Sequence, residues 1–156
     1  MTNDDGQSGT GVDLFTYRAA PRVGSITPVG GVTAGGTAVT ITGTNFSSLG
    51  AGPSVDIGGN PCSPVTFNSS TELVCTTSGG TAGTVDVVVS NDDGQSDTGT
   101  NLYEYRDDPT ISGVTPDIGP TGGGTAITIT GTNFSNHTAL PSIDIGGVAC
   151  TGITYT

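Results

Sequence analysis

The sequence predicts an all-β protein, and three observations carry that prediction. Gly, Thr and Ser are abundant while charged residues make up only 11%, a balance that favours short strands and many turns. Strong helix formers are scarce, and no window places apolar residues at i, i+3, i+4 and i+7. Two stretches, Ala38–Thr42 and Thr84–Val89, alternate apolar and polar residues with a period of two.

Taken in order, the predicted strands are Arg22–Ile26, Ala38–Thr42, Ser54–Ile57, Val65–Asn68, Glu72–Thr76, Thr84–Val89 and Asn101–Tyr105. Clusters of Gly, Pro, Asn and Asp separate them and supply turn geometries. Alternation assigns Val39 and Ile41, and Val85, Val87 and Val89, to core faces. The paired glycines Gly35 and Gly36 permit a tight turn entering the second strand. Seven short strands in some 88 residues suit an immunoglobulin-like β-sandwich.

Sliding the chain against itself by 88 positions aligns residues 1–68 with 89–156 without a gap, and 37 of the 68 positions are identical. Asn3–Ser8 returns as Asn91–Ser96, Gly35–Ala38 as Gly123–Ala126, Thr40–Ser47 as Thr128–Ser135, and Ile57-Gly58-Gly59 with Cys62 as Ile145-Gly146-Gly147 with Cys150. Many mismatches are Val/Ile or Phe/Tyr exchanges that keep an apolar side chain in place. Pro21 and Pro109 follow Tyr17-Arg18 and Tyr105-Arg106 and mark the handover between copies. The expected organisation is therefore the C-terminal end of a preceding module at 1–18, a complete module at 19–106, and the N-terminal half of a following module at 107–156. Joining the end of one such chain to the start of another would omit the equivalents of residues 69–88, which include Cys75 and most of the Thr84–Val89 strand. A stretch of a longer tandem protein is expected rather than a subunit that polymerises by sharing half-domains.

Charge removes several classes of partner. The net charge is −11, Lys is absent, and the basic residues are Arg18, Arg22 and Arg106, so no basic surface exists to neutralise phosphates. Nucleic acid and anionic membranes are excluded as expected partners. No apolar run approaches the roughly 18 to 20 residues needed to span a bilayer, so no membrane insertion is expected of this segment. No basic-then-apolar leader precedes the first strand, which places any export signal outside this sequence.

Several motifs together resemble a known family. Ile26-Thr27-Pro28, then Gly35-Gly36-Thr37, then Val39–Phe46 is similar to the opening pattern of the IPT/TIG domain (immunoglobulin-like, plexin and transcription-factor type): Pro, paired glycines, a strand and Gly-x-x-Phe. Ile57-Gly58-Gly59 with Cys62, followed by Cys75-Thr76-Thr77, resembles its middle, and Val85–Val89 its last part. The resemblance covers the whole chain. It implies tandem immunoglobulin-like (E-set) modules of the kind found in plexins, related receptors and large bacterial surface proteins. Modules of this family serve as spacers, adhesive units, enzyme-attached modules or DNA-contacting domains.

The resemblance also implies a disulfide between Cys62 and Cys75, the usual partners in plexin-type modules, and with it an oxidising compartment. Closing that loop stabilises by about 3 kcal/mol in the chain-entropy picture. The alternative is two buried free thiols. Three cysteines and one histidine spread over two modules lack zinc-ligand spacing. Cys150 matches Cys62, and the equivalent of Cys75 would fall beyond Thr156, which leaves Cys150 unpaired in this chain.

No catalytic, cofactor or metal set emerges. Asn91-Asp92-Asp93-Gly94 and its copy Asn3–Gly6 lack the alternating ligands and closing Glu of a calcium loop, and a hairpin turn is the favoured reading. Asp107-Asp108 sits at a junction, yet its equivalents are Ala19-Ala20, which argues against a general junction calcium site. His137 has no neighbouring nucleophile and reads as a solvated loop residue. The glycine pairs have neither Lys nor a following helix and are no phosphate cradle. Phe46 and Phe134, Tyr17 and Tyr105, and Phe67 and Tyr155 read as core or sandwich-corner aromatics rather than a sugar platform. Without Lys, no Lys–Asn isopeptide cross-link can form. Asn-x-Ser/Thr triplets begin at Asn45, Asn68, Asn133 and Asn136 and would accept glycans in a suitable host.

The function expected from these readings is a non-catalytic, cofactor-free structural module of an extracellular or cell-surface fibre or adhesin. It would act as spacer or filament building block, with neighbouring modules of the same array as head-to-tail partners. The competing readings are a carbohydrate- or protein-binding module and a non-catalytic appendage of a secreted enzyme.

Overall fold

The computed structural model describes residues 2–12, 15–134 and 141–156. Asn136 and His137 lie outside the described residues, and so does the Ser135 that completes the triplet at Asn133. No α-helix occurs among the described residues.

Residues 22–106 form two sheets around one core, one antiparallel and the other antiparallel except for a parallel edge strand. One sheet runs in the order β1 (Arg22–Thr27), β3 (Ala38–Thr44), β7 (Glu72–Thr76), β6 (Val65–Ser69). The other runs β2 (Gly30–Val32), β9 (Ser96–Arg106), β8 (Gly83–Ser90), β4 (Ser54–Ile57), β5 (Asn60–Pro61). Strand alternation places Val39 and Ile41 of β3 with Leu73 and Cys75 of β7 on one inner face. Val55 and Ile57 of β4, Val87 and Val89 of β8, and Tyr103 and Tyr105 of β9 form the other. Burying two such faces against each other is the main favourable term available to a chain this rich in Gly and Thr. Val85, expected in the core, is half-buried at its margin.

The structure adds to the predicted strands in three places. β9 begins at Ser96, because the polar run Ser96–Thr100 has no apolar alternation yet still pairs with β8, Ser90 opposite Ser96 and Val87 opposite Gly99. Past Gly99 the strand carries two more residues than β8, since Val85 faces Tyr103. The bulge is held by Asn101 at φ 55°, whose amide donates to Asp86 Oδ1 at 2.8 Å. β2 runs parallel along the edge of β9, and its glycines explain why periodicity does not reveal it: a Cβ on Gly31 would collide with Thr37 Oγ1 and the Tyr103 hydroxyl. β5 is two residues of a hairpin on β4. The Gly35-Gly36 turn forms as expected, with both residues at positive φ and Gly35 against the Ser78–Gly79 backbone.

The later residues repeat these local geometries. β10 (Thr110–Thr115) pairs with β11 (Thr128–Thr132) from Thr110↔Thr132 to Thr115↔Thr128, with a shift between Ile111 and Gly113. β1 and β3 pair from Arg22↔Thr44 to Thr27↔Thr40, with a shift between Val23 and Ser25. β12 (Asp144–Ile145) and β13 (Val148–Ala149) form a hairpin like β4–β5. The apolar residues of these later strands have no facing layer among the described residues, and Ile111, Ile145 and Val148 are exposed. Two aromatic expectations fail: Tyr17 is 91% exposed where Tyr105 is 2% exposed, because no described strand runs beside residues 15–18, and Tyr155 is 44% exposed, because the later strands have no facing layer among the described residues. Phe15 and Tyr17 still make the edge-on contact of Tyr103 and Tyr105, with ring centroids 4.9 and 5.1 Å apart respectively.

Leu73 is fully buried and stands between Ile41 and Phe67 in register. Leu73→Ala should lower the unfolding free energy of this unit by about 2–5 kcal/mol, read from urea melts, because little can collapse into the cavity. A loss below about 1 kcal/mol would contradict the core described above.

Candidate functional site

The clearest built feature is the place where the chain leaves one sheet for the other. The Cys62 amide donates to the Val55 carbonyl of β4 at 2.8 Å, and the next amide, Ser63, donates to the Thr76 carbonyl of β7 at 2.8 Å. The crossing therefore falls between two consecutive residues. Cys62 is bonded there to Cys75 of β7, with Cα atoms 5.6 Å apart and both residues buried. The disulfide thus ties the layers together at the crossing and closes a loop with a sequence separation of 13. Cys150 is a free, half-buried cysteine.

A second polar cluster covers the end of the sandwich where the chain enters. Gly-x-x-Phe shapes it: a Cβ on Gly43 would strike the Arg22 carbonyl and the ring of Phe46, so glycine admits that ring to the core. Gly131 stands in the same relation to Thr110 and Phe134. Asn45, at φ 60°, donates its side-chain amide to the Ala20 carbonyl at 3.0 Å. Asn91 is nearly buried; its Oδ1 accepts from the Ser47 amide at 3.1 Å and its Nδ2 donates to the Asn45 carbonyl at 2.8 Å. Residues 91–94 make the turn of the β8–β9 hairpin, with the Gly94 amide on the Asn91 carbonyl and the Asn91 amide on the Gln95 carbonyl. Sequence reasoning treated Asn45 as a glycan acceptor and missed Asn91 and Gln95 as structural ligands. The signal was present, because Asn91–Ser96 is identical in both copies beyond what a hairpin turn requires.

Both carboxylates of this turn have protein partners. Asp92 Oδ1 accepts from Ser47 Oγ at 3.1 Å and lies 3.5 Å from Arg18 Nη1. Asp93 accepts from the Gln95 amide and from its side chain, each at 3.0 Å, and those hydrogen bonds hold its pKa below the ordinary value of 3.8. Burial, with a smaller contribution from neighbouring Tyr103, raises the pKa of Tyr105, whose hydroxyl donates to the Ser78 carbonyl at 2.8 Å. Tyr103, by contrast, has a buried hydroxyl with no hydrogen-bond partner among the described residues. Of the triplet asparagines, Asn68 sits exposed on β6 and donates to Glu72 Oε1 at 2.7 Å, while Asn133 donates to the Asp108 carbonyl at 3.2 Å. Among the described residues, no three His, Cys, Asp or Glu side chains are placed to hold a metal ion together. The concavity at the entry end is shallow and lined by Arg18, Asn45, Phe46, Ser47 and Asn91.

The family profile described as IPT/TIG domain matches residues 21–105 and again residues 109–156. The chain belongs to the IPT/TIG domain family. Its IPT/TIG modules are 34% identical over 132 residues to human Fibrocystin-L, covering 85% of this chain and 3% of that protein. They are 40% identical over 117 residues to mouse Plexin-A2, covering 73% of this chain and 6% of that protein. Among solved structures, the Plexin A4 full extracellular region matches with TM-score 0.53 and 26% identity, over 85% of this chain and 14% of that one. The chain thus spans only a small part of the relatives it matches. Their immunoglobulin-like fold is the one seen here in residues 22–106.

Two outcomes follow for the IPT/TIG module. Reducing Cys62–Cys75 should lower its unfolding free energy by about 3 kcal/mol, measured in urea with and without reductant; equal midpoints would contradict a staple at the crossing. In a pH titration followed by NMR, the Gln95 amide should move with a midpoint below the ordinary 3.8 of a carboxylate. A folded pKa below the unfolded one means the Asp93 contribution is complete above the unfolded value and is lost as pH falls through the folded value.

Proposed function

We propose that these modules are a length-setting and load-bearing spacer in an extracellular or cell-surface fibre or adhesin. The observation that carries the reading is a self-contained core stapled at its one-residue sheet crossing, followed directly by a second match to the same family. A module of this kind passes force through its own strands and needs no cleft. A disulfide belongs to an oxidising compartment, and the matched Plexin A4 structure is of an extracellular region. In this reading residues 1–18 end one module, 19–106 are a complete one, 107–156 begin the next, and neighbouring modules are the head-to-tail partners. The chain is not an enzyme, and it takes no cofactor or nucleic acid.

Single-molecule pulling tests the mechanical role. The complete module should unfold in one discrete event, and reduction should lengthen the released chain by the 13-residue separation held by the disulfide. At roughly 3.6 Å per residue, less the 5.6 Å that the bridge already spans, that is about 41 Å. Extension without a discrete event would remove the load-bearing reading.

A further inference from the structure

We infer that successive modules are locked at their junction by a polar clamp, in which the arginine ending one repeat is gripped by the β8–β9 turn of the next; this rests on the tandem reading above. Three separate segments meet there. Arg18 Nη1 donates to Ser47 Oγ at 3.2 Å and faces Asp92 Oδ1 at 3.5 Å. Gln95 Nε2 donates to the Arg18 carbonyl at 3.3 Å, and Asn45 Nδ2 to the Ala20 carbonyl at 3.0 Å. Chain 18–20 is therefore held through its backbone as well as its charge.

The receiving surface is preformed. Asn91 binds the 45–47 segment by two hydrogen bonds and so fixes Ser47 and Asn45 relative to the turn. The turn itself is a local structure. In the first copy, where only the isolated Thr2↔Ser8 bridge flanks it, Asn3–Gln7 repeats the same three hydrogen bonds at 2.8, 3.1 and 3.0 Å that Asn91–Gln95 makes. Those bonds use the Asn, Gly and Gln backbones and the second Asp, so the first Asp carboxylate is not consumed by the turn, and Gln95 Nε2 is shared between Asp93 Oδ2 at 3.0 Å and the Arg18 carbonyl at 3.3 Å. Both of these reach the entering chain in the complete module.

The second junction repeats part of the arrangement. Asn133, also at φ 60°, donates to the Asp108 carbonyl at 3.2 Å, so this grip survives the change from Ala20 to Asp108 because its acceptor is backbone. Arg106 occupies the repeat position of Arg18 but pairs with Glu104 Oε2 at 2.8 Å, and position 16 carries Thr in place of that Glu. A following turn would have to compete with Glu104, so junctions differ in how firmly their arginine is held. In a chain of net charge −11 whose three cations are Arg18, Arg22 and Arg106, the positive charge is concentrated at the handovers.

The test is backbone ¹⁵N relaxation on the 156-residue protein. Arg18–Ala20 should show order parameters near the rigid value of about 0.85, like β1, and Asp92→Ala should drop Arg18 below about 0.6 while β1 is unchanged. Raising the salt to about 1 M, where the Debye length is about 3 Å, should shift unaltered Arg18 in the same direction. Flexible Arg18–Ala20 in the unaltered protein, or order indifferent to both Asp92→Ala and salt, overturns the clamp. The tandem reading fails separately: native material with a single species near 15.3 kDa would remove the neighbouring repeat, and the role between modules with it, while leaving the measured order at Arg18 intact.

Discussion

Two small apolar faces turned toward each other carry the module, and nearly every other feature serves to keep them in register. Each face is built from alternate residues of strands four to eleven residues long, Val39 and Ile41 on one and Val87 and Val89 on the other. Strands this short bury little area each, so the layers gain from being fixed to one another. The Cys62–Cys75 bond does so at the point where consecutive amides belong to different sheets. Glycines do so by absence: Gly43 makes room for Phe46, Gly31 for the Tyr103 hydroxyl, and Gly80 for the ring of Tyr105.

Polar groups do a different job, concentrated at the ends of the sandwich. Asn45 and Asn91 satisfy backbone groups that a loop near a core would otherwise leave unpaired, and Asn45 adopts positive φ. Exposed ion pairs such as Arg18–Asp92 add little stability by themselves. Their value lies in orientation, because a guanidinium held by a hydroxyl and a carboxylate, beside two amide–carbonyl bonds, restricts the chain entering the module.

In the spacer role proposed above, the core and disulfide would set how much load a unit bears, and the entry end would set the direction in which the chain arrives. Neither task needs a pocket, and the surface at the entry end is shallow and already hydrogen-bonded to its own chain.

The all-β class, the seven main strands, Gly35-Gly36 and the 91–94 turn were legible because each is local: period-two alternation and left-handed glycines are properties of a few neighbouring residues. The pairing of Cys62 with Cys75 was implied by family resemblance and took its meaning from the fold, which places the bond at a sheet crossing. β2, the first half of β9 and the bulge at Asn101 were invisible, since Gly30-Gly31 and Ser96–Thr100 carry no apolar pattern and pair only because a neighbouring strand offers free amides and carbonyls. The clamp was equally hidden, because Arg18, Ser47 and Asp92 stand far apart in sequence and meet only when two sheets stack. By itself, then, the sequence determined the local conformations and the alternating faces, whereas only the tertiary structure decided which edges pair and which distant polar groups meet, since those depend on contacts between segments that no short-range pattern encodes.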